Sequence, residues 1–192
     1  MTAQKIKDVS LKLFSQHGYD GTSLSEIAKE VGINKSSIYA HFKSKESIFM
    51  AVFDDALWDY NKHVEQLIIE IQDQGVDEKL YRILCDVAHY YEQNQDLKLF
   101  LKRSALFPPT FLQEQLLSKS EASDQGLIKV LHSIFEEGIR KKIIMEDHID
   151  DLVQSYLCVL DGIFSGVPFH KSDYIQGQVN NIWRIFWKGI RA

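Results

Sequence analysis

The chain has 192 residues, 45% of them hydrophobic and 26% charged, with a formal net charge of −5. That composition excludes an intrinsically disordered chain and a disulfide scaffold, and the length can bury a sizeable core. An acidic total also argues, at first sight, against a polyanionic partner such as DNA.

Only three prolines are present, and apolar residues recur at intervals of three and four throughout. No alternating strand pattern, repeat or low-complexity stretch interrupts them, so the chain reads as all-α. A first helix is expected over 3–17, with Ile6, Val9, Leu13 and Phe14 on one face and Gly18 as its stop. Thr22 and Ser23 can cap a second helix over 24–31, and Glu26 stands at the capping-box spacing from Ser23. Gly32 ends it, Ile33 fills the corner, and Asn34 can cap a third helix over 35–41 with Ile38 and Phe42 turned inward. A far longer helix follows over 45–72, roughly 40 Å at 1.5 Å per residue, enough to leave one domain and enter another. Gly75 breaks it. Further helices are expected near 77–94 and 96–106, then a break at Phe107-Pro108-Pro109, then helices near 109–118, 123–143, 147–167 and 172–190.

Two short helices around a glycine-centred corner have the helix-turn-helix spacing, here over about 23–42. The second exposes Lys35, Ser36, Ser37, Ala40 and His41, which are short, polar or cationic and suit a close approach to base edges and phosphates. Lys43 and Lys45 flank the start of the long helix, where the positive dipole end favours an anion. The run Gly18-Tyr19-Asp20-Gly21-Thr22-Ser23-Leu24-Ser25-Glu26-Ile27-Ala28, then Val31-Gly32-Ile33-Asn34, Ile38-Tyr39-Ala40-His41-Phe42 and Lys45-Glu46 resembles the DNA-binding domain of the TetR family. The resemblance covers about the first 50 residues. It implies a DNA-binding domain over 1–46 and a ligand-binding and dimerisation domain over 47–192. The expected fold is therefore all-α, about nine helices, with the long helix joining a three-helix head to a C-terminal bundle. It also implies that Lys35, Ser36, Ser37, Ala40 and His41 contact bases or backbone. Ser25 matches an exposed early position of the second helix, Tyr39 a tyrosine that reaches a phosphate, and Lys45 the lysine opening the long helix. Two departures stand out: Ser36 replaces a frequent glycine, and no arginine-rich arm precedes the first helix.

Two C-terminal helices are too apolar to be covered on one side only. One combines Leu157 with a row of small residues, Cys158, Gly162 and Gly166. The other carries Ile182, Trp183, Phe186 and Trp187. A second subunit is the expected cover, and a homodimer suits a short recognition helix that reads few base pairs. An internal helix of one large core is the alternative. A pocket for a small apolar or aromatic effector is expected from Leu84, Val87, Tyr91, Phe100, Phe107, Phe111, Phe135, Tyr156 and Leu160, with the Pro108-Pro109 break as the entry.

No catalytic or metal-binding spacing is present, so the expectation is a regulator, not an enzyme, with no cofactor and no metal. Asp147, His148, Asp150 and Asp151 cluster where a helix begins and are read as dipole partners. Cys85 and Cys158 lie in apolar-periodic segments and read as small hydrophobes. No apolar run reaches the roughly 18–20 residues of a membrane span, and a cytoplasmic protein is expected. The partners implied are a double-stranded operator, a small-molecule effector and a second copy of the chain. A regulator controlled by a protein partner, or a helical carrier or enzyme using the bundle cavity, is the competing reading.

The acidic total changes meaning when divided. Residues 1–50 carry seven lysines and five acids, whereas residues 51–192 carry 15 bases and 22 acids. The positive end is the end with the helix-turn-helix spacing.

Overall fold

The computed structural model describes residues 2–166 and 172–192. Among them are nine α-helices: α1 (Thr2–His17), α2 (Leu24–Val31), α3 (Lys35–Ile38), α4 (Lys45–Ile71), α5 (Val76–Gln93), α6 (Gln95–Leu106), α7 (Gln113–Arg140), α8 (Ile149–Gly166) and α9 (Ser172–Ile190). A 3-10 turn, Thr110–Leu112, precedes α7. The described residues contain no sheet, and an isolated bridge pairs Ile144 with Arg191. None of these helices is long and apolar enough to cross a membrane.

The helix ends follow local chemistry. Gly18 and Gly32 adopt left-handed φ values of 73° and 80°, which close α1 and α2 at little steric cost. Ser23 opens α2 in a full capping box: its hydroxyl accepts from the Glu26 amide at 3.2 Å, and its own amide donates to Glu26 Oε2 at 2.8 Å. Ser44 and Ser47 form the same reciprocal arrangement before α4, each amide donating to the other hydroxyl at 3.1 Å. Asn34 stands at the N-cap of α3 but makes no side-chain cap bond. Helix α3 is also shorter than the expected 35–41, because its last residues tighten into a turn with the His41 amide on the Ile38 carbonyl. The two stretches expected near 109–118 and 123–143 are one helix, α7. The polar run between them, 118–123, holds neither proline nor glycine to stop it.

The chain divides into two compact units. The first holds the residues up to Tyr60 together with Asn94–Ser123. Its core joins Ile6 and Phe14 of α1, Ile27 and Val31 of α2, Ile38 of α3 and Ile48, Phe49 and Phe53 of α4 to Phe100 of α6 and Leu116 of α7. Helix α6 lies against α1. Aromatic rings fill the junction, with Phe14–Phe49 centroids 5.0 Å apart and Phe49–Phe100 5.2 Å apart. Lys98 of α6 is fully buried in this unit, and burial, with a smaller push from the Lys102 charge, lowers its ammonium to about 8.

The second unit holds Asn61–Gln93 and Asp124–Ala192. Helix α5 packs on α8 and α9, and the Tyr156 hydroxyl donates to the Leu80 carbonyl. Tyr81 donates to Asn180 at 2.7 Å, and its ring lies 5.6 Å from that of Trp183. Amide bonds from Met145 to the Ile190 carbonyl (2.8 Å) and from Ala192 to the Ile143 carbonyl (3.0 Å) tie the C-terminus to the α7–α8 connection.

Candidate nucleic-acid interface

The surface of α3 is set by what lies beneath it. Ile38 is fully buried, so the residues around it on the short helix are turned outward. Lys35, Ser36, Ala40 and His41 are exposed, Tyr39 is 52% exposed, and Ser37 is half-buried. The expected contact residues of this segment are therefore exposed, apart from Ser37. Ser25 is exposed on α2, and Lys43 is exposed just beyond α3. Below them the α1–α2 turn is rigidly built. The buried Thr22 hydroxyl lies 2.8 Å from the Gly18 carbonyl and 3.2 Å from that of Leu13. A Cβ on Gly21 would stand 2.4 Å from the His17 carbonyl oxygen.

Lys45, expected among the DNA contacts at the start of the long helix, is engaged within the protein. Its side chain is half-buried, and its ammonium donates to the Tyr19 carbonyl at 2.7 Å and the Thr22 carbonyl at 2.9 Å. It also lies 4.0 Å from the centroid of the Tyr19 ring. Other lysines of the head are engaged within the protein too: Lys5 donates to the Val31 carbonyl at 2.9 Å, and Lys7 pairs with Asp55. The sequence places Arg103 among the polar groups of the expected pocket but gives no sign of its contact across the first unit, where it reaches from α6 to donate to the Gln16 carbonyl at 3.0 Å. That contact spans 87 positions and leaves no local pattern.

The expected pocket residues do not form one set. Leu84, Val87, Tyr91, Phe135, Tyr156 and Leu160 are buried core residues of the second unit. Phe100, Phe107 and Phe111 belong to the first, where Phe100 is buried while Phe107 and Phe111 are 80% and 62% exposed. Beside Pro108 and Pro109 the first unit holds a cleft of about 180 Å³, lined by aromatic rings of Phe14, Tyr19, Phe49, Phe100 and Phe107, with His17, Asp20 and Arg103 among its polar residues. Of the expected dimer face, Cys158 and Gly162 are exposed, and Leu157, Ile182, Trp183, Phe186 and Trp187 are half-buried. The surroundings of Gly166 lie outside the described residues. Trp183 and Trp187 stack at 5.2 Å, next to an Ile185 that is 58% exposed.

Comparison with known proteins agrees with this geometry. The model of the bacterial regulatory proteins, tetR family, matches residues 6–52. The probable HTH-type transcriptional regulator YttP of Bacillus subtilis (strain 168) is 27% identical over 141 residues, 73% of this chain and 66% of its own length. The chain thus spans just under two thirds of that relative. The biofilm operon icaADBC HTH-type negative transcriptional regulator IcaR of Staphylococcus aureus (strain Newman) is 29% identical over 143 residues, 74% of each chain. Among solved structures, the transcriptional regulator FadR from Bacillus subtilis in complex with stearoyl-CoA superposes with a TM-score of 0.76 over 97% of this chain and 98% of that one, at 20% identity. The fold class is all-α with an N-terminal helix-turn-helix, as in these similar proteins. Residues 6–52 thus match the N-terminal model of the tetR family of bacterial regulatory proteins, the family that the motif in the first 50 residues resembles.

Proposed function

We propose that the chain is a transcriptional repressor of the cytoplasm that binds a twofold-symmetric operator as a homodimer and releases it when a small apolar or aromatic molecule binds. The observation that carries this reading is the surface of α3. A buried Ile38 turns Lys35, Ser36, Tyr39, Ala40 and His41 outward on a helix-turn-helix otherwise packed into the first unit. Phosphates are met by the lysine and the tyrosine hydroxyl, and base edges by the small side chains that let the helix sink into a major groove. One such helix reads few base pairs, so two copies reading two half-sites supply the specificity. The exposed small residues Cys158 and Gly162 of α8, with the tryptophan-bearing face of α9, are the proposed contact between copies. Repression is favoured by the relative IcaR, a negative regulator by name.

Effector binding is supported by the neighbour solved with stearoyl-CoA. A fatty acyl chain needs an apolar enclosure, and the buried apolar residues Leu84, Val87, Tyr91, Phe135, Tyr156 and Leu160 of the second unit are its proposed lining. The effector releases DNA if it binds the DNA-incompetent conformer more tightly, at a coupling of about 1–3 kcal/mol. Selection from random duplex DNA tests the whole reading. The chain should enrich one palindromic sequence, and acyl-CoA thioesters or apolar aromatic compounds that raise its melting temperature should dissociate the complex. Enrichment of no sequence would refute it.

A further inference from the structure

We infer that Lys45 is a positioning residue of the DNA-binding head and not one of its phosphate contacts, an inference that rests on the DNA-binding reading above. The ammonium sits in a cage built entirely from the α1–α2 turn: the Tyr19 carbonyl at 2.7 Å, the Thr22 carbonyl at 2.9 Å and the Tyr19 ring face at 4.0 Å. An ammonium has three N–H donors, and two of them are committed here. The ring face adds a cation–π contact. Tyr19 is itself held, its ring edge-on to Phe49 at 5.3 Å and to Phe111 at 5.5 Å. Swinging the ammonium out to a phosphate forfeits all three contacts.

What the cage fixes is the frame around α3. Lys45 opens α4, and Thr22 directly precedes the residue that caps α2. The chain between them carries α2, the corner and α3, so the lysine joins the two ends of that segment. It sets where α2 begins relative to where α4 begins, and α3 is presented from between those points. A displaced turn would shift the small base-facing side chains of the segment, Ser36 and Ala40, out of register, while the flexible Lys35 side chain keeps its phosphate and no charge that meets DNA is lost.

The two roles differ in salt dependence. Each phosphate contact adds about 0.9 to the slope of log affinity against log salt, whereas an internal latch adds nothing. The test measures binding of the full chain to a selected duplex and to a scrambled one across a salt series, well below the melting temperature. Lys45→Met should weaken the selected complex roughly ten- to a hundredfold, the scale of lost hydrogen bonds to a charged group. Its salt slope and its binding to the scrambled duplex should stay those of the unaltered chain. Lys45→Gln, neutral but able to donate to one carbonyl, runs in parallel and meets the same slope criterion if Lys45→Met does not fold. Lys45→Arg, which can serve both carbonyls, should restore most of the affinity. A slope reduced by about 0.9 in the neutral variants would make Lys45 a phosphate contact and overturn the inference. So would unaltered affinity with a lowered melting temperature, the mark of a purely structural residue. An unaltered chain that selects no duplex is a different failure: it removes the DNA-binding reading, and the role of Lys45 with it.

Discussion

At the scale of single residues, sequence position alone does not say what a lysine does. Lys35 and Lys45 both belong to the positive first fifty residues, yet one is exposed on α3 and the other is enclosed by the α1–α2 turn. Lys35→Ala should therefore weaken selected and scrambled DNA alike and lower the salt slope by about 0.9 in a binding titration. An unchanged slope would remove Lys35 from the phosphate contacts. Lys98 makes a different prediction. Its ammonium is lowered from 10.5 to about 8, so between those values the unfolded chain holds a proton that the folded chain has lost. Stability conferred by this site rises with pH across that window and is constant below it. Thermal unfolding of Lys98→Met should lack this rise, and a pH dependence identical to that of the unaltered chain would contradict it. Nothing in the sequence around Lys98 announces its burial, because a lysine at an inward helical position is read as solvent-facing by default.

At the scale of elements, the helix ends were readable because their causes are local. Gly18, Gly32 and the Ser23–Glu26 pair act within one turn, and the structure places all of them as expected. Asn34 shows the limit of the same reasoning, since an N-cap position does not oblige the side chain to bond. What local chemistry does not reveal is the packing of α6 on α1, which is made by Phe100 and Arg103 with partners far away in the chain. Two glycines turn this contrast into opposite predictions. Gly21→Ala drives a Cβ to 2.4 Å from the His17 carbonyl oxygen, backbone that has little room to yield. It should cost about 1–3 kcal/mol in denaturant unfolding. Gly126→Ala, inside α7 with nothing within 4 Å of the added carbon, should gain about 0.5–1 kcal/mol. A gain at Gly21 or a loss at Gly126 would contradict these assignments.

At the scale of the whole molecule, the helical class and the DNA-binding head were visible from periodicity and motif. The pocket was not, because apolar stripes look the same whether they close a core or line a cavity. The nine expected residues fall into two separate units accordingly. The proposed face between copies is tested most cleanly at Gly162, where an added Cβ meets open space within the subunit. Gly162→Glu should leave the circular dichroism of the chain intact and give monomers in light scattering, and a persisting dimer would remove α8 from the interface. The division of charge, with 1–50 positive and 51–192 acidic, fits a proposed DNA contact confined to the first fifty residues. The most direct measurement is a hydroxyl-radical footprint on the selected duplex. Two protected half-sites are expected, related by a twofold axis, with centres about one helical turn (~34 Å) or a multiple of it apart. Lys35→Ala combined with His41→Ala should abolish the protection. Protection that lacks twofold symmetry, or that survives the loss of both side chains, would contradict the proposed function.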